Sequence, residues 1–327
     1  MSPRLSLAVS NGAVSLPETG QILLLRPSAD VSLDGLPVDR LAVLHGFRPD
    51  FDALTARGLN VSTTADGPFS GAIVFAARAK ALTHDLLARA CAAIGPGGRI
   101  IVDGAKSDGI DSLLRGLRKV TDVGEVYSKA HGKCFAITAP DPVPDGWTAT
   151  MGQVDGFATT AGVFSADGID PGSALLAEHF DGVSGCVCDL GAGWGYLSAR
   201  LMASKAATGV ALVEAEAAAL DCARRNVTDP RAQFHWADAT TWTGGPFDVV
   251  VSNPPFHTAR QADPALGKAF VSSAARLLTP RGRLLMVANR HLPYEATLRD
   301  AFGEITVRAD TNGYKVIEAT RPKRHKP

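Results

Sequence analysis

Cysteine, charge of one sign and long apolar runs are all scarce or missing in this sequence. Its 327 residues hold 5 cysteines, too few and too scattered for a disulfide framework. Cys186 and Cys188 alternate on a strand-like run with no second Cys or His pair nearby at zinc spacing. They read as small core residues, and no metal site is expected. Lys plus Arg and Asp plus Glu number 33 each, which excludes the bulk basic charge of a histone-like nucleic-acid binder. No apolar run approaches the roughly 18 residues of a membrane span, and the N-terminus lacks the basic and apolar regions of a signal peptide. A cytoplasmic protein in a reducing compartment, with no membrane partner, is the expectation. Hydrophobic residues at 46% and charged residues at 20% exclude a disordered or fibrous chain. At this length two domains of roughly 150 to 180 residues are expected.

The first half alternates short apolar runs at Gln21–Leu25, Leu41–Leu44, 72–76 and 99–102 with helical spacing over 83–94 and 111–120. Continuous apolar strands between amphipathic helices imply a parallel sheet covered on both faces. The turn-favouring text DPVPDG at 141–146 marks a boundary, giving domains 1–145 and 146–327. The second half repeats the pattern, with strands expected at 186–189, 211–214, 233–235, 249–252 and 283–288. Its helices are expected at 173–180, 197–203, Ala217–Asn226, 265–278 and Tyr294–Ala301.

The halves also resemble each other. LTPRGRLLMVAN (278–289) aligns with IGPGGRIIVDGA (94–105), matching Pro280 to Pro96, Gly282 to Gly98 and Arg283 to Arg99. NGYKVIEAT near the C-terminus corresponds to HGKCFAITA, which ends at Ala139. Recurrent Pro-Gly turn chemistry is one explanation; duplication of one doubly wound domain is the other, and the one adopted here. The first copy has no glycine after its first strand, where the text is ILLLRPSAD. The expected fold is therefore α/β, with two tandem Rossmann-like domains of which the N-terminal one is degenerate.

In the second half, CDLGAGWGY (188–196) is a strand running into Gly191, Gly193 and Gly195 and then a helix. Glycines there let the backbone turn tightly and approach a ligand. Tyr196 stands where a dinucleotide loop would place its last glycine, and an acid, Asp189, precedes the loop. This pattern favours S-adenosylmethionine, which has no pyrophosphate to seat. Glu214 closes the next strand, where a carboxylate can accept both ribose hydroxyls; a helix N-terminal acid is its plainer reading. Asp238 follows the third strand and can accept from an adenine amine, or simply cap a turn. Trp194 and Trp236 can wall an adenosine or serve as packing.

FDVVVSNPPFH (247–257) places three valines of a buried strand before Asn253, Pro254, Pro255 and Phe256. Two prolines end the strand and stiffen the loop. Such a loop suits methyl transfer to a planar nitrogen, whose lone pair is delocalised and poorly nucleophilic. The Asn253 side-chain oxygen and the Pro254 carbonyl can accept the two N–H groups of an amine and turn its lone pair towards the methyl group. Phe256 can stack on an extruded base.

These segments, with VANRHLPY, resemble the class I methyltransferases that modify ribosomal RNA at guanine N2, the small-subunit branch more than the large-subunit one. The likeness covers 163–320 well and includes VFSADGIDPGSALL before the first strand and GYKVIEA near the end. It implies S-adenosylmethionine held by Gly191, Gly193, Gly195, Glu214 and Asp238, guanine held by Asn253, Pro254, Pro255 and Phe256, and a first domain that binds no cofactor and serves RNA recognition. Trp194 departs from the small residue expected within the loop. Phe164, His257 and Lys315 are added as candidate substrate contacts; core packing for Phe164 and an ordinary strand position for Lys315 are the alternatives.

Residues 276–327 hold 11 Lys plus Arg against 5 Asp plus Glu, while 151–275 hold 7 against 13. The zero net charge is thus a sum of an acidic stretch and a basic end, and the basic end can bind RNA phosphates or act as a solvated tail. Ribosomal RNA or a ribosomal subunit is the expected partner, most simply 16S rRNA; the oligomeric state is not legible. Two other readings stay open: methyl transfer to adenine N6, to large-subunit rRNA or to a protein glutamine, and a non-catalytic RNA-binding assembly factor.

Overall fold

The computed structural model describes residues 3–255, 257–258, 261–262, 264–290 and 294–323. The chain divides into two units, Met1–Thr150 and Met151–Pro327. In the first, helix α1 (Arg4–Ser10) leads into strands β1 (Gln21–Leu25) and β2 (Leu41–Leu44), helix α2 (Arg48–Ala56) and strands β3 (Asn60–Ser62) and β4 (Phe69–Phe75). Helix α3 (Lys80–Ile94), strand β5 (Arg99–Ala105), helix α4 (Ile110–Leu117) and strands β6 (Val123–Lys129) and β7 (Gly132–Thr138) follow. The strands form one sheet in the order β3-β2-β1-β4-β5-β7-β6, parallel except for β7, which is antiparallel to both neighbours. The central strands carry helices on both faces, which is why Ile22, Leu23, Leu24 and Leu25 run on without a polar break.

The second unit starts with a short hairpin, β8 (Gly152–Val154) and β9 (Phe157–Thr159). Helix α5 (Pro171–Ala177), β10 (Gly185–Leu190), α6 (Tyr196–Met202), β11 (Ala207–Glu214), α7 (Ala217–Asn226), β12 (Ala232–Trp236) and β13 (Phe247–Ser252) come next. A two-residue pair, β14 (His257–Thr258) and β15 (Gln261–Ala262), precedes α8 (Pro264–Leu277), β16 (Leu278–Asn289), α9 (Tyr294–Ala301), β17 (Phe302–Thr311) and β18 (Tyr314–Pro322). The main sheet runs β12-β11-β10-β13-β16-β18-β17, the same order and polarity as the first. One face packs on α8 and α9 through Phe270, Val271 and Leu298; the other packs on α5, α6 and α7 through Leu176, Leu201 and Leu220. Cys188 is buried in this core, whereas Cys186, also read as a core residue, is exposed at the strand's start, 3.8 Å from the Thr208 hydroxyl.

Register makes the two sheets comparable residue by residue. Arg99 stands opposite Thr138 on β7, and Arg283 stands opposite Thr320 on β18. Leu23 lies between Ala42 and Ala72 as Cys188 lies between Ala211 and Val250. Beyond those strands, Arg26 N–H donates to the Leu44 carbonyl at 2.9 Å, and Gly191 N–H donates to the Val213 carbonyl at 2.9 Å. Lys133 pairs with Asp111 at 2.7 Å and Lys315 pairs with Glu295 at 3.1 Å, each joining the seventh-listed strand's partner to the second residue of the helix before it. Both copies thus share the text match, the ladder register and an ion pair.

In the second sheet the strand order reverses at β10, between β11 and β13, and the crevice beyond the C-terminal strand ends at such a point is the ligand site of open α/β sheets.

Candidate active site

The loop after β10 turns on its glycines. Gly191, Gly193 and Gly195 all have positive φ, at 80°, 55° and 88°. Their neighbours separate their tasks. A Cβ on Gly195 would stand 3.1 Å from both Ala223 Cβ and Val227 Cγ2, so this glycine lets α6 start against α7. A Cβ on Gly193 would meet no atom within 4 Å, so this position faces open space. Trp194, the unexpectedly large loop residue, is buried against Phe157 and Tyr196, with ring centroids 5.3 and 5.8 Å away. Its indole N–H donates to the Phe164 carbonyl at 2.9 Å. That bond ties the 157–166 segment to the loop and leaves the Phe164 ring 62% exposed beside the cleft.

Glu214, ending β11, accepts the Gly193 N–H at 2.7 Å on one carboxylate oxygen and the Glu216 N–H at 2.8 Å on the other. Each oxygen keeps a second lone pair for a ligand hydroxyl. Burial raises its pKa against the pull of those two N–H groups. Asp189 is completely buried; one oxygen accepts the Ser198 hydroxyl at 2.6 Å and the other has no hydrogen-bond partner. Burial pushes its carboxyl up to about 7, and the Glu214 charge adds to the rise over the opposing Ser198 bond. Asp238 lies two residues past β12 and accepts both the N–H and the hydroxyl of Thr240, at 2.8 and 2.7 Å, on a single oxygen.

Across the cleft, β13 ends at Ser252, whose hydroxyl donates to the Leu190 carbonyl at 2.7 Å. The next residue, Asn253, donates its side-chain N–H groups to the Asp170 carboxylate at 2.9 Å and the Ser173 hydroxyl at 2.8 Å. Asp170 is the N-cap of α5, accepting the Ser173 backbone N–H at 2.8 Å, with Pro171 at the first helical position. Pro254 is buried and Pro255 exposed. Phe256 lies outside the described residues, and His257 opens β14.

Phe164, Gly191, Gly193 and Asn253 line one cleft, with Asp170 and Ser173 beside them. Glu214 joins it through the Gly193 amide. Asp238 and Lys315 do not line it, and Lys315 is engaged by Glu295. The sequence reading did not single out Asp170 or Ser173. Their text, DPGS before an apolar run, announces a helix start, but the contact that matters is with a residue 83 and 80 positions away. Among the described residues, Asp170 is the one charged residue lining the cleft, and the Asp189 and Glu214 carboxyls lie behind it without a described cationic partner. This negative surrounding fits a cofactor carrying a sulfonium and an ammonium, and would repel a pyrophosphate. Among the described residues, no group of three or more His, Cys, Asp or Glu is placed to hold a metal ion, and no helix is long and apolar enough to cross a membrane.

Three comparisons bear on this geometry. The family model described as the methyltransferase small domain matches residues 155–318. A ribosomal RNA small subunit methyltransferase C from Shewanella sp. strain MR-4 is 30% identical over 298 residues, covering 87% of this chain and 86% of that protein. The protein of the same name from Shewanella oneidensis is 31% identical over 261 residues, 76% of each. Among solved structures, a T. thermophilus 16S rRNA N2 G1207 methyltransferase in complex with AdoMet and guanosine is similar over 98% of this chain and 92% of that one, with a TM-score of 0.78 and 26% identity.

Proposed function

This chain belongs to the methyltransferase small domain family, with the ribosomal RNA small subunit methyltransferase C proteins, and we propose that it methylates the exocyclic N2 amine of a guanine in 16S rRNA, using S-adenosylmethionine. The guanine proposed is the counterpart of the G1207 named for the T. thermophilus protein. One observation carries the reading: a glycine loop with open space at Gly193 and the Asn253 amide face the same cleft.

When bound, the cofactor supplies a methyl group on a positively charged sulfur. Gly193 leaves room for its methionyl part, Gly191 and Gly195 hold the loop's path, and Glu214 takes the ribose hydroxyls on its remaining lone pairs. Asp238 uses its second oxygen for the adenine amine, and Asp189 braces the start of α6 through Ser198. On the substrate side, the Asn253 oxygen and the Pro254 carbonyl accept the two N–H groups of the guanine amine. That arrangement weakens delocalisation of the nitrogen lone pair into the ring and aims it, which is where positioning lowers the barrier. No strong base is required, because the methylated ammonium loses its proton to water readily. Phe256 and Phe164 supply faces for the base, and His257 and Lys315 stand as lesser contacts with RNA.

The first unit serves RNA recognition and binds no cofactor. By register, Leu24, Arg26, His45 and Phe75 occupy the places of Asp189, Gly191, Glu214 and Asn253. With ribosomal RNA or the small subunit as partner, the cytoplasm is the compartment. The test is labelled methyl transfer to free 16S rRNA and to unmodified small- and large-subunit particles, followed by nucleoside analysis. N2-methylguanosine in small-subunit RNA is expected; label confined to N6-methyladenosine, large-subunit RNA or protein glutamine would replace this reading.

A further inference from the structure

Both side-chain hydrogens of Asn253 are spent inside the protein, one on the Asp170 carboxylate and one on the Ser173 hydroxyl. A carboxylate only accepts hydrogen bonds, so the amide atom facing Asp170 is nitrogen; the flipped amide would set two oxygens against each other. Asp170 is itself held, since the oxygen that takes Asn253 also caps α5 through the Ser173 N–H. Gly172 makes room for that arrangement: a Cβ there would stand 3.0 Å from the same Asp170 oxygen and 2.9 Å from Tyr314 Cε1.

From this geometry we infer that Asp170 and Ser173 are positioning residues that present Asn253 to the substrate as an acceptor only, which restricts the target to a group bearing N–H. The inference rests on the reading of Asn253 as the group that holds the target amine. Its consequence lies on the base itself. Guanine offers O6, N7 and N3 as acceptors, and N1–H and the N2 amine as donors. An amide free to turn would welcome any of these edges, whereas an amide with only oxygen left accepts N2 and opposes O6 and N7. The choice of an N–H-bearing edge over O6 and N7 is thus built into the start of α5.

Full-length protein, labelled cofactor and unmodified small-subunit particles provide the test. Asp170→Ser keeps a good N-cap with a side chain too short to reach Asn253, and Ser173→Ala leaves the backbone cap untouched. Together they are expected to lower kcat about 10- to 100-fold when measured at saturating cofactor. On an Asn253→Ala background the same pair is expected to add less than about twofold, because its effect runs through Asn253. An unchanged kcat in the double variant, or an equal further loss on the Asn253→Ala background, overturns the inference. A second readout needs no RNA: the Asn253 side-chain NH₂ signal, identified in ¹⁵N spectra by its loss in Asn253→Ala, should exchange slowly in wild type and quickly in the double variant. Fast exchange in wild type also overturns it. A wild type that leaves guanine N2 unmethylated while this signal stays protected refutes the functional reading and supports the orientation.

Discussion

Asp189 ionises at a completely buried strand end, with Ser198 as its one hydrogen-bond donor and the Glu214 charge nearby. In the unfolded chain the carboxyl titrates near 3.8; in the fold it holds its proton to about 7. A raised acid pKa means that ionisation opposes folding. The unliganded protein is therefore expected to lose stability as pH climbs between those values, by at most about 4 kcal/mol. Asp189→Asn, which keeps an acceptor for Ser198, should flatten that slope in thermal melts taken from pH 4 to 8; an unchanged slope would refute the assignment. Asn253→Ala should lower kcat by on the order of 100-fold or more while cofactor affinity stays near wild type, which single-turnover methylation and calorimetry measure separately. Asp189, the glycines, Glu214 and Asn253 were legible because each sits in a short contiguous pattern whose chemistry is local. Asp170 and Ser173 were not, because their task exists only in contact with a distant residue. Nothing in the text around them distinguishes a cap that also holds an amide from one that does not.

At the scale of elements, the glycine loop divides into a part that packs and a part that receives. Gly195→Ala forces a side chain into a left-handed residue already crowded by Ala223 and Val227, and is expected to cost about 2 to 3 kcal/mol of stability. Gly193→Ala meets no neighbour, costs about 1 to 2 kcal/mol for its backbone conformation alone, and places a methyl group where the cofactor should lie. It should melt closer to wild type than Gly195→Ala yet bind S-adenosylmethionine more weakly; equal affinity for wild type and Gly193→Ala would remove Gly193 from the cofactor site. The parallel strands were readable because burial on both faces writes unbroken apolar runs, as in β1 and β13. Strands β6 and β17 were missed because they are exposed along much of their length and antiparallel to their partners, and α1 and α2 because seven and nine residues give little periodicity to count. Strand β16 starts at Leu278, before the expected 283, because Leu278 pairs with Phe247 and the ladder resumes at Arg283 after a register shift.

For the whole molecule, two sheets of one topology carry one set of site chemistry. Calorimetric titration of the full chain with S-adenosylmethionine should give one site per chain, and Glu214→Ala should weaken that one site without revealing a second. Part of the charge read from the sequence is paired: Arg283 and Arg308 share Glu318, Arg290 pairs with Asp310 and Lys315 with Glu295. The acids in these pairs belong to 276–327 themselves, so the excess of bases over that stretch rests on the cations outside the pairs. No composition figure could show this, because pairing depends on which strands lie side by side. The shared register has another consequence. The ion pair recurs, as Lys133 with Asp111 and Lys315 with Glu295, whereas Leu24, Arg26, His45 and Phe75 stand at the places of Asp189, Gly191, Glu214 and Asn253. The chain thus offers an internal comparison: features common to both sheets serve the fold, and features present in the second alone mark the site.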